Sequence, residues 1–367
     1  MKLVFSKSDL NKAVGIVMKA VPTRTTMNIL ECILIDATTN VIKFTGNDME
    51  LGIETIVEGE IIEKGKVAID AKLFSEIVRK LPDSEITITT DANYTSLITC
   101  EKSKFNIAGK SGDDFSYLPI IEKDKMITIS QFNLREVINQ TIFSTAPNDN
   151  NKMMTGELFE VSGNVLIVVG LDGRRVAIRN FKLEGRAADV KVVDPGKTLQ
   201  EISKILSTDA ENMVNVYFTN NHILFEFDNT TVVSRLIEGE YFKINQMLSS
   251  DYGTKVVINK KEFIDSIDRA NLLIKEGEKK PIIINITDGS LEVNVNSAIG
   301  THNEDIEIEK ECNDLMIGFN PKFRLDALRV IDDETVDIYL VNPKAPCFIR
   351  DKEQSYIYLI LPVNFTA

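Results

Sequence analysis

The sequence predicts an α+β protein built from three similar domains, each with two helices packed on antiparallel sheets. Two strand–helix units recur at nearly constant offsets along the chain, and most of the remaining sequence alternates apolar and polar residues. The chain has 367 residues, enough for about two to three domains. Its 43% hydrophobic and 26% charged residues are typical of a globular protein rather than a disordered one.

The first recurring unit is a short strand followed by a helix, and it begins at residues 3–17. The i, i+3, i+4, i+7 spacing of one helix face is found at Leu10, Ala13, Val14 and Val17. The same pattern returns 124 residues later in 127–142 and 253 residues after the first copy in 256–274. These segments predict the first helix of each domain.

The second unit also reads as strand then helix, at 66–81, 191–206 and 315–331. Together the two units predict helices over 7–20, 71–81, 131–145, 196–206, 260–275 and 321–331. Period-two alternation between them predicts antiparallel strands. We therefore expect domains at 1–122, 123–249 and 250–367. A single large α/β enzyme with accidental similarity is the alternative, and two units at matching offsets argue against it.

Composition disfavours several classes of protein. No apolar run is long enough to span a membrane, and Met1 to Leu10 lacks the apolar core of a signal peptide. Four scattered cysteines without a C-x-x-C pair argue against a zinc site and for a reducing compartment, the cytoplasm. The two histidines are 80 residues apart, which disfavours histidine-based metal sites and catalysis. We expect no metal and no cofactor.

Charge is unevenly distributed along the chain. The net charge is −13, yet the six predicted helices hold 16 basic and 8 acidic residues. Four helices carry basic residues seven apart, two turns along one face: Lys12 and Lys19, Lys72 and Arg79, Lys197 and Lys204, Lys322 and Arg329. Each helix alone is typical of a solvated amphipathic surface. Recurrence in an acidic chain favours a positive surface for a polyanion such as DNA, held through phosphates because no base-reading motif is present.

Five segments, in order along the chain, resemble one family. They are FTGNDMEL (44–51), MTGELFE (154–160), VVGLDGRRVA (168–177), GFNPKFRLDAL (318–328) and YLILPV (358–363). The chain resembles the bacterial DNA polymerase sliding clamps, the beta subunits of the replicative polymerase. That resemblance implies a DNA clamp fold, a ring-shaped head-to-tail homodimer around duplex DNA, and a role as polymerase processivity factor.

The resemblance also implies an apolar pocket that binds short peptides of the replicative polymerase, the clamp loader and other replication and repair proteins. Its residues here are Met154, Leu171, Gly173, Arg174, Arg175, Val176, Met247, Pro346, Leu359, Leu361, Pro362 and Val363. Arg175 is expected to bond the peptide backbone or a carboxylate. Arg174, Phe242 and Asn364 depart from the usual histidine, proline and arginine, which affects the polar rim of the pocket.

Two further surfaces follow from the resemblance. The dimer contact is expected at Phe105 and Ile107 of one chain and Leu272 and Leu273 of the other. Arg24, in the PTRTT loop, matches a DNA-touching arginine. The helix stripes add further DNA-binding candidates, Lys12, Lys19, Lys72, Arg79, Lys197, Lys204 and Lys322. Contacts of this kind are individually weak and salt-dependent.

Catalytic motifs are missing from the sequence. It has no phosphate-binding G-x-x-x-x-G-K-[ST] loop and no G-x-S-x-G nucleophile motif. Asp113 and Asp114 are either metal ligands or part of a turn. The turn is favoured, because Gly and Asp are both common in turns. Asp48 and Asp172 hold equivalent repeat positions, which suits a turn or cap. We expect no catalysis; a three-domain transferase and a DNA-binding protein that does not encircle DNA are the alternatives.

Overall fold

The computed structural model describes residues 1–248, 251–275 and 280–365. Within these ranges the chain forms six α-helices, one for each predicted helix: α1 (Lys7–Val17), α2 (Ala71–Lys80), α3 (Gln131–Asn139), α4 (Gly196–Ser203), α5 (Lys260–Asn271) and α6 (Pro321–Arg329). The sequence placed every helix end too late. In α3 the reason is Thr141, whose hydroxyl donates to the carbonyls of Val137 and Ile138 and ends the helix. A short 3-10 turn, Ile142–Ser144, follows.

Helix starts are fixed by polar caps. Ser6, Asp70, Asn259 and Asn320 each accept a hydrogen bond from a main-chain N–H in the first turn of their helix. Pro321 follows Asn320 at the first helical position, where its missing N–H is not needed. Such caps typically stabilise a helix by about 1 kcal/mol.

The first two thirds of the chain contain strands β1 (Lys2–Phe5), β2 (Cys32–Asp36), β3 (Ile42–Asn47), β4 (Leu51–Val57), β5 (Glu60–Glu63), β6 (Lys66–Asp70), β7 (Ile86–Thr90), β8 (Thr95–Cys100), β9 (Ser103–Lys110), β10 (Lys125–Ser130), β11 (Gly156–Ser162), β12 (Val165–Leu171), β13 (Arg175–Lys182), β14 (Val190–Pro195), β15 (Met213–Phe218), β16 (His222–Phe227) and β17 (Thr230–Arg235). The last third adds β18 (Thr254–Asn259), β19 (Ile282–Thr287), β20 (Ser290–Ser297), β21 (Gly300–Cys312), β22 (Leu315–Phe319), β23 (Thr335–Leu340), β24 (Cys347–Arg350) and β25 (Tyr356–Ile360). All pairings among these strands are antiparallel, as the alternation predicted.

The strands form two sheets, one in each of two compact units. The unit of Met1–Arg135 and Thr198–Leu236 holds a sheet ordered β10-β15-β16-β17-β4-β3-β2-β6-β9-β8-β7-β1-β5. The unit of Glu136–Lys197 and Ile237–Ala367 holds one ordered β14-β11-β12-β13-β25-β24-β23-β18-β21-β20-β19-β22. Each unit therefore joins strands from two neighbouring thirds of the chain.

The strand orders repeat threefold. One four-stranded order appears as β6-β2-β3-β4, β14-β11-β12-β13 and β22-β19-β20-β21, and a second as β10-β15-β16-β17, β18-β23-β24-β25 and β1-β7-β8-β9. This confirms three similar domains with antiparallel sheets. The expected boundary at residues 249 and 250 lies outside the described part of the chain.

Two repeats have a glycine at the same position, where a strand passes close to the end of a helix. A Cβ at Gly46 would lie 2.3 Å from the carbonyl oxygen of Val17, at the end of α1. A Cβ at Gly170 would lie 2.6 Å from the carbonyl oxygen of Thr141, just after α3. Both pairs are 124 residues apart, so each helix end presses on a strand that only glycine accommodates.

Candidate functional site

An apolar sheet face in the second unit carries the core of the predicted pocket. Val176 of β13 lies opposite Leu171 of β12 on one side and Leu359 of β25 on the other. All three side chains are buried, and the half-buried Met154 packs against the same cluster. The structure thus brings together four of the residues that the resemblance implied.

The turn between β12 and β13 is held by a carboxylate. Asp172 accepts hydrogen bonds at one carboxylate oxygen from the main-chain N–H groups of Arg174 and Arg175, at 3.0 and 3.1 Å. Gly173 has φ of 79°, in the left-handed region that glycine favours. The Arg174 carbonyl accepts from the N–H of Leu361 at 2.9 Å, which joins the turn to the chain after β25.

Arg175 has partners within the fold that its motif did not predict. Its guanidinium is bonded to Asp172 at 3.1 Å, to Asp326 at 2.7 Å and to the carbonyl of Phe143. It also stacks 4.3 Å from the centroid of the Phe323 ring, and the residue is only 7% exposed. All three guanidinium nitrogens have partners inside the fold. Arg175 therefore braces the turn from β12 to β13, and its contact with a peptide stays a prediction.

The remaining pocket candidates lie nearer the surface. Met247 and Leu361 are 41% and 38% exposed, available to a ligand. Val363 is half-buried, and its N–H donates to the carbonyl of Gly318. Pro346 and Pro362 are also half-buried. These residues form the more accessible part of the predicted set.

A cavity of about 560 Å³ opens on the same sheet face. It lies over the next row of side chains, the set of residues that face one another across the adjacent strands, two residues further along each strand. Its floor includes Leu158, Val169, Ile178 and Ile357, and residues 240–246 together with Leu248 form its other wall. The lining includes none of the twelve predicted pocket residues, all of which the structure describes. The sequence analysis missed this row, although its members lie two residues from Leu171, Val176 and Leu359 and alternation places them on the same face.

Tyr241 lines the cavity and belongs to the same apolar cluster as Leu171, Val176 and Leu359. Its hydroxyl donates to the carbonyl of Val169 at 3.0 Å, and its ring packs edge-on against Phe242 at 5.6 Å. Below it lies Glu157, which is fully buried opposite Asp194 in the β11–β14 pair. Burial raises the pKa of Glu157 well above its ordinary value, and Asp194 raises it further, although the nearby Thr141 side chain lowers it.

The basic stripes lie on accessible helix faces. Seven of the predicted DNA-binding residues are exposed: Lys12, Arg24, Lys72, Arg79, Lys197, Lys204 and Lys322. Lys19 is half-buried, and its ammonium lies 3.6 Å from Glu201. Lys204 reaches the other oxygen of the same carboxylate at 2.6 Å. Glu201 therefore neutralises part of the stripe in the first unit.

The expected dimer residues lie on one strand, β9, and just after the end of α5. Phe105 of β9 is 39% exposed, and Leu272, at the end of α5, is 79% exposed. Leu273 is half-buried and Ile107 is buried. Phe105 and Leu272 therefore leave apolar surface accessible to a second chain.

Asp113 and Asp114 belong to a 3-10 turn, Gly112–Asp114, and Asp113 pairs with Lys66 at 2.5 Å. The turn interpretation is therefore confirmed. Lys66 also holds the pKa of the Asp113 carboxyl below its ordinary range. Within the described ranges, no three His, Cys, Asp or Glu side chains converge as a metal site would require.

Comparison with protein families decides the assignment. Three sequence models of the DNA polymerase III beta subunit match consecutively: the N-terminal domain over residues 1–119, the central domain over 128–243 and the C-terminal domain over 245–364. The chain belongs to the DNA polymerase III beta subunit family. Curated relatives from Staphylococcus epidermidis and Staphylococcus aureus, each named Beta sliding clamp, are 34% and 35% identical over 358 residues, 95% of both chains.

Solved structures of this beta subunit family agree with the fold. One from Eubacterium rectale, described as a DNA polymerase III beta subunit, has 66% identity and a TM-score of 0.97. The DNA polymerase sliding clamp from Bacillus subtilis has 33% identity and a TM-score of 0.96. Both alignments cover all of both chains. The chain is a sliding clamp and processivity factor, with three similar domains instead of one large α/β domain. None of the described helices is long and apolar enough to cross a membrane.

Proposed function

We propose that two copies of this chain close head to tail into a ring that encircles duplex DNA and tethers the replicative polymerase and other proteins to it. The strand topology carries this proposal. In the threefold repeat β17, β25 and β9 are equivalent, as are β4, β13 and β21. Two of the three possible pairings, β17 with β4 and β25 with β13, form within the chain. The third, β9 with β21, is left for a second copy.

The two remaining edges suit one another chemically. The edge of β9 beyond its short pairing with β6 carries the exposed Lys104 and Phe105. The corresponding part of β21 carries the exposed Asp305 and Glu307. Opposite charges across paired strands favour association, and exposed apolar side chains such as Leu272 supply area to bury. Two such contacts close a ring.

The basic helix stripes support DNA as the encircled partner. They lie on helices of a chain whose net charge is −13, so duplex DNA is attracted to the helices and repelled elsewhere. Contacts with phosphates are independent of sequence and break easily, as sliding requires.

The apolar face of β12, β13 and β25 supports a peptide-binding role. Met154, Leu171 and Leu359 form an adaptable apolar floor for Leu or Phe side chains, and the exposed Met247 and Leu361 are the further apolar residues of the predicted set. The polymerase, the clamp loader and other clamp-binding proteins would compete for it. We further propose domain boundaries near residues 122 and 249, no intrinsic catalysis, and action in the cytoplasm.

Retention on circular DNA tests the ring. A competent clamp loader places the protein on a nicked circle, the salt is raised, and the circle is cut once. Retention on the circle and release on cutting are expected for topological linkage. Equal binding to circular and linear DNA would mean direct contact without encirclement. No retention on either, while a control clamp loads normally, would contradict both DNA-based functions and favour the enzyme alternative.

Alanine substitution tests the pocket. Leu359→Ala together with Leu361→Ala is expected to abolish stimulation of a polymerase while the dimer persists in sedimentation. Loss of the dimer instead would show that these residues act elsewhere.

A further inference from the structure

The two sheet junctions, β4 with β17 and β13 with β25, have matching backbones. Asp48 and Asp172 each accept from main-chain N–H groups two and three residues further on. The Glu50 carbonyl accepts from the N–H of Arg235 at 2.8 Å, as that of Arg174 does from Leu361 at 2.9 Å.

The register of the strands makes the equivalence residue by residue. Gly52 of β4 lies opposite Val233 of β17. Val176 of β13 lies opposite Leu359 of β25 in the same way. Gly52 therefore occupies the position that Val176 holds in the predicted peptide pocket.

At the first junction this position is covered by the chain itself. A Cβ built on Gly52 would lie 2.1 Å from a terminal methyl carbon of Leu118, so Leu118 occupies the space that a side chain would need. Leu118 and Ile121 pack on a buried cluster of Tyr217, Leu224 and Val233. The side-chain amide of Asn47 donates to the carbonyl of Ser116 at 3.0 Å and fixes the segment 116–121 in place.

At the second junction the corresponding side chain takes another position. Phe242 follows Leu118 by 124 residues, the repeat offset, and it lines the cavity one row away from Val176. Because Val176 has a branched side chain where Gly52 has none, Phe242 cannot lie on this position as Leu118 does. Val176 thus excludes Phe242 from the place that Leu118 takes at the first junction.

We infer that the chain carries a second, latent peptide pocket at the junction of β4 and β17, closed by its own segment 116–121, with Leu118 in the role of a partner's apolar anchor. The choice between glycine and valine at positions 52 and 176 decides whether the chain's own apolar side chain can lie on the junction. This inference rests on the proposed function of the pocket at β13 and β25. It follows that one chain offers one open pocket for peptides with Leu or Phe anchors.

Exchanging the side chains tests the inference in the whole dimeric protein. The probe is a fluorescein-labelled peptide with Leu and Phe anchors, selected from a library for binding to the unmodified protein. Val176→Gly with Phe242→Leu recreates the first junction in the second and should weaken peptide binding on the order of tenfold or more. Ala177→Gly, on the opposite face of the same strand, controls for a new glycine in β13, and its peptide affinity should stay within about twofold.

Unchanged affinity in the double variant, with the dimer intact in sedimentation, would overturn the inference.

Leu118→Ala tests the other junction and does not depend on the folding of the first variant. Titration calorimetry should then find two peptides per chain instead of one, and a single site would overturn the latent pocket. A library that yields no peptide for the unmodified protein would instead contradict the proposed function of the pocket.

Discussion

The ammonium of Lys260 donates to the main-chain carbonyl of Ile331, just beyond the end of α6. Lys260 is the first residue of α5, and Lys7, the first residue of α1, makes the same contact with the carbonyl of Leu81 after α2. In the middle repeat Gln131 begins α3 and accepts from the N–H of Ser207, which follows α4, at 2.8 Å. Each domain thus ties the start of its first helix to the end of its second.

Lys260→Met is expected to lower the free energy of unfolding by about 1 kcal/mol, because the carbonyl loses a charged donor at a helix C-terminus. Urea denaturation followed by circular dichroism measures it. Lys261→Met, at the exposed next position of α5, is the matched control and should change stability little. Equal losses of stability in the two variants would contradict a stabilising role for the hydrogen bond from Lys260 to Ile331.

Glu157→Gln is expected to stabilise the protein more at pH 8 than at pH 5. Burial raises the pKa of Glu157 above its ordinary value of 4.5, so the folded chain keeps a proton that the unfolded chain releases. Between the unfolded and folded pKa values, the free energy of unfolding of the wild type then falls by about 1.4 kcal/mol for each unit by which the pH rises. Thermal melts across this range measure the difference, with the half-buried Glu160 of the same strand changed to Gln as control. If the difference in stability between Glu157→Gln and the wild type does not grow as the pH rises, the pKa of Glu157 is not raised.

Leu272→Asp is expected to convert the dimer to monomers, because it places a carboxylate on an apolar surface that a second copy buries. Losing one such contact weakens association by roughly 2 kcal/mol, before the cost of a buried charge is added. Sedimentation at micromolar concentration measures it, and Phe105→Asp should behave alike. Met126→Asp, on a similarly exposed apolar residue of β10, should leave the dimer intact. An unchanged dimer in both interface variants would mean that the contact lies elsewhere.

Glu201→Gln is expected to strengthen binding to a short linear duplex at low salt. The substitution releases Lys19 and Lys204 from one carboxylate, so both become available to phosphates. The slope of log affinity against log salt should steepen by about one to two. Glu76→Gln, on the exposed face of α2, removes the same charge without freeing this pair and should act less. If the two variants bind DNA alike, Glu201 does not restrain the stripe.

Local sequence patterns predicted much of the fold. The apolar spacing in 7–20 and 256–274 located helices, because an amphipathic helix buries one apolar face whatever its position in the fold. Helix ends were predicted too far along, since side chains such as Thr141 compete for carbonyls, a contact that the apolar period does not contain. At the pocket, Leu171, Val176 and Leu359 were predicted together through their motifs. The neighbouring row with Val169 and Ile178 was missed because it belongs to none of those motifs.

The sequence by itself determined the threefold repeat, the six helices and the excess of positive charge on them, because periodicity and composition are properties of neighbours along the chain. Only the tertiary structure decided what each charge and each apolar side chain meets. Arg175 is predicted from its motif as a ligand donor, and only the fold shows that its nitrogens also bond Asp172, Asp326 and Phe143. Gly52 and Val176 are equivalent in the repeat, yet only the packing of Leu118 shows that one junction is covered. Such outcomes depend on residues far apart in sequence, whose proximity is set by strand register and by the exclusion of overlapping atoms.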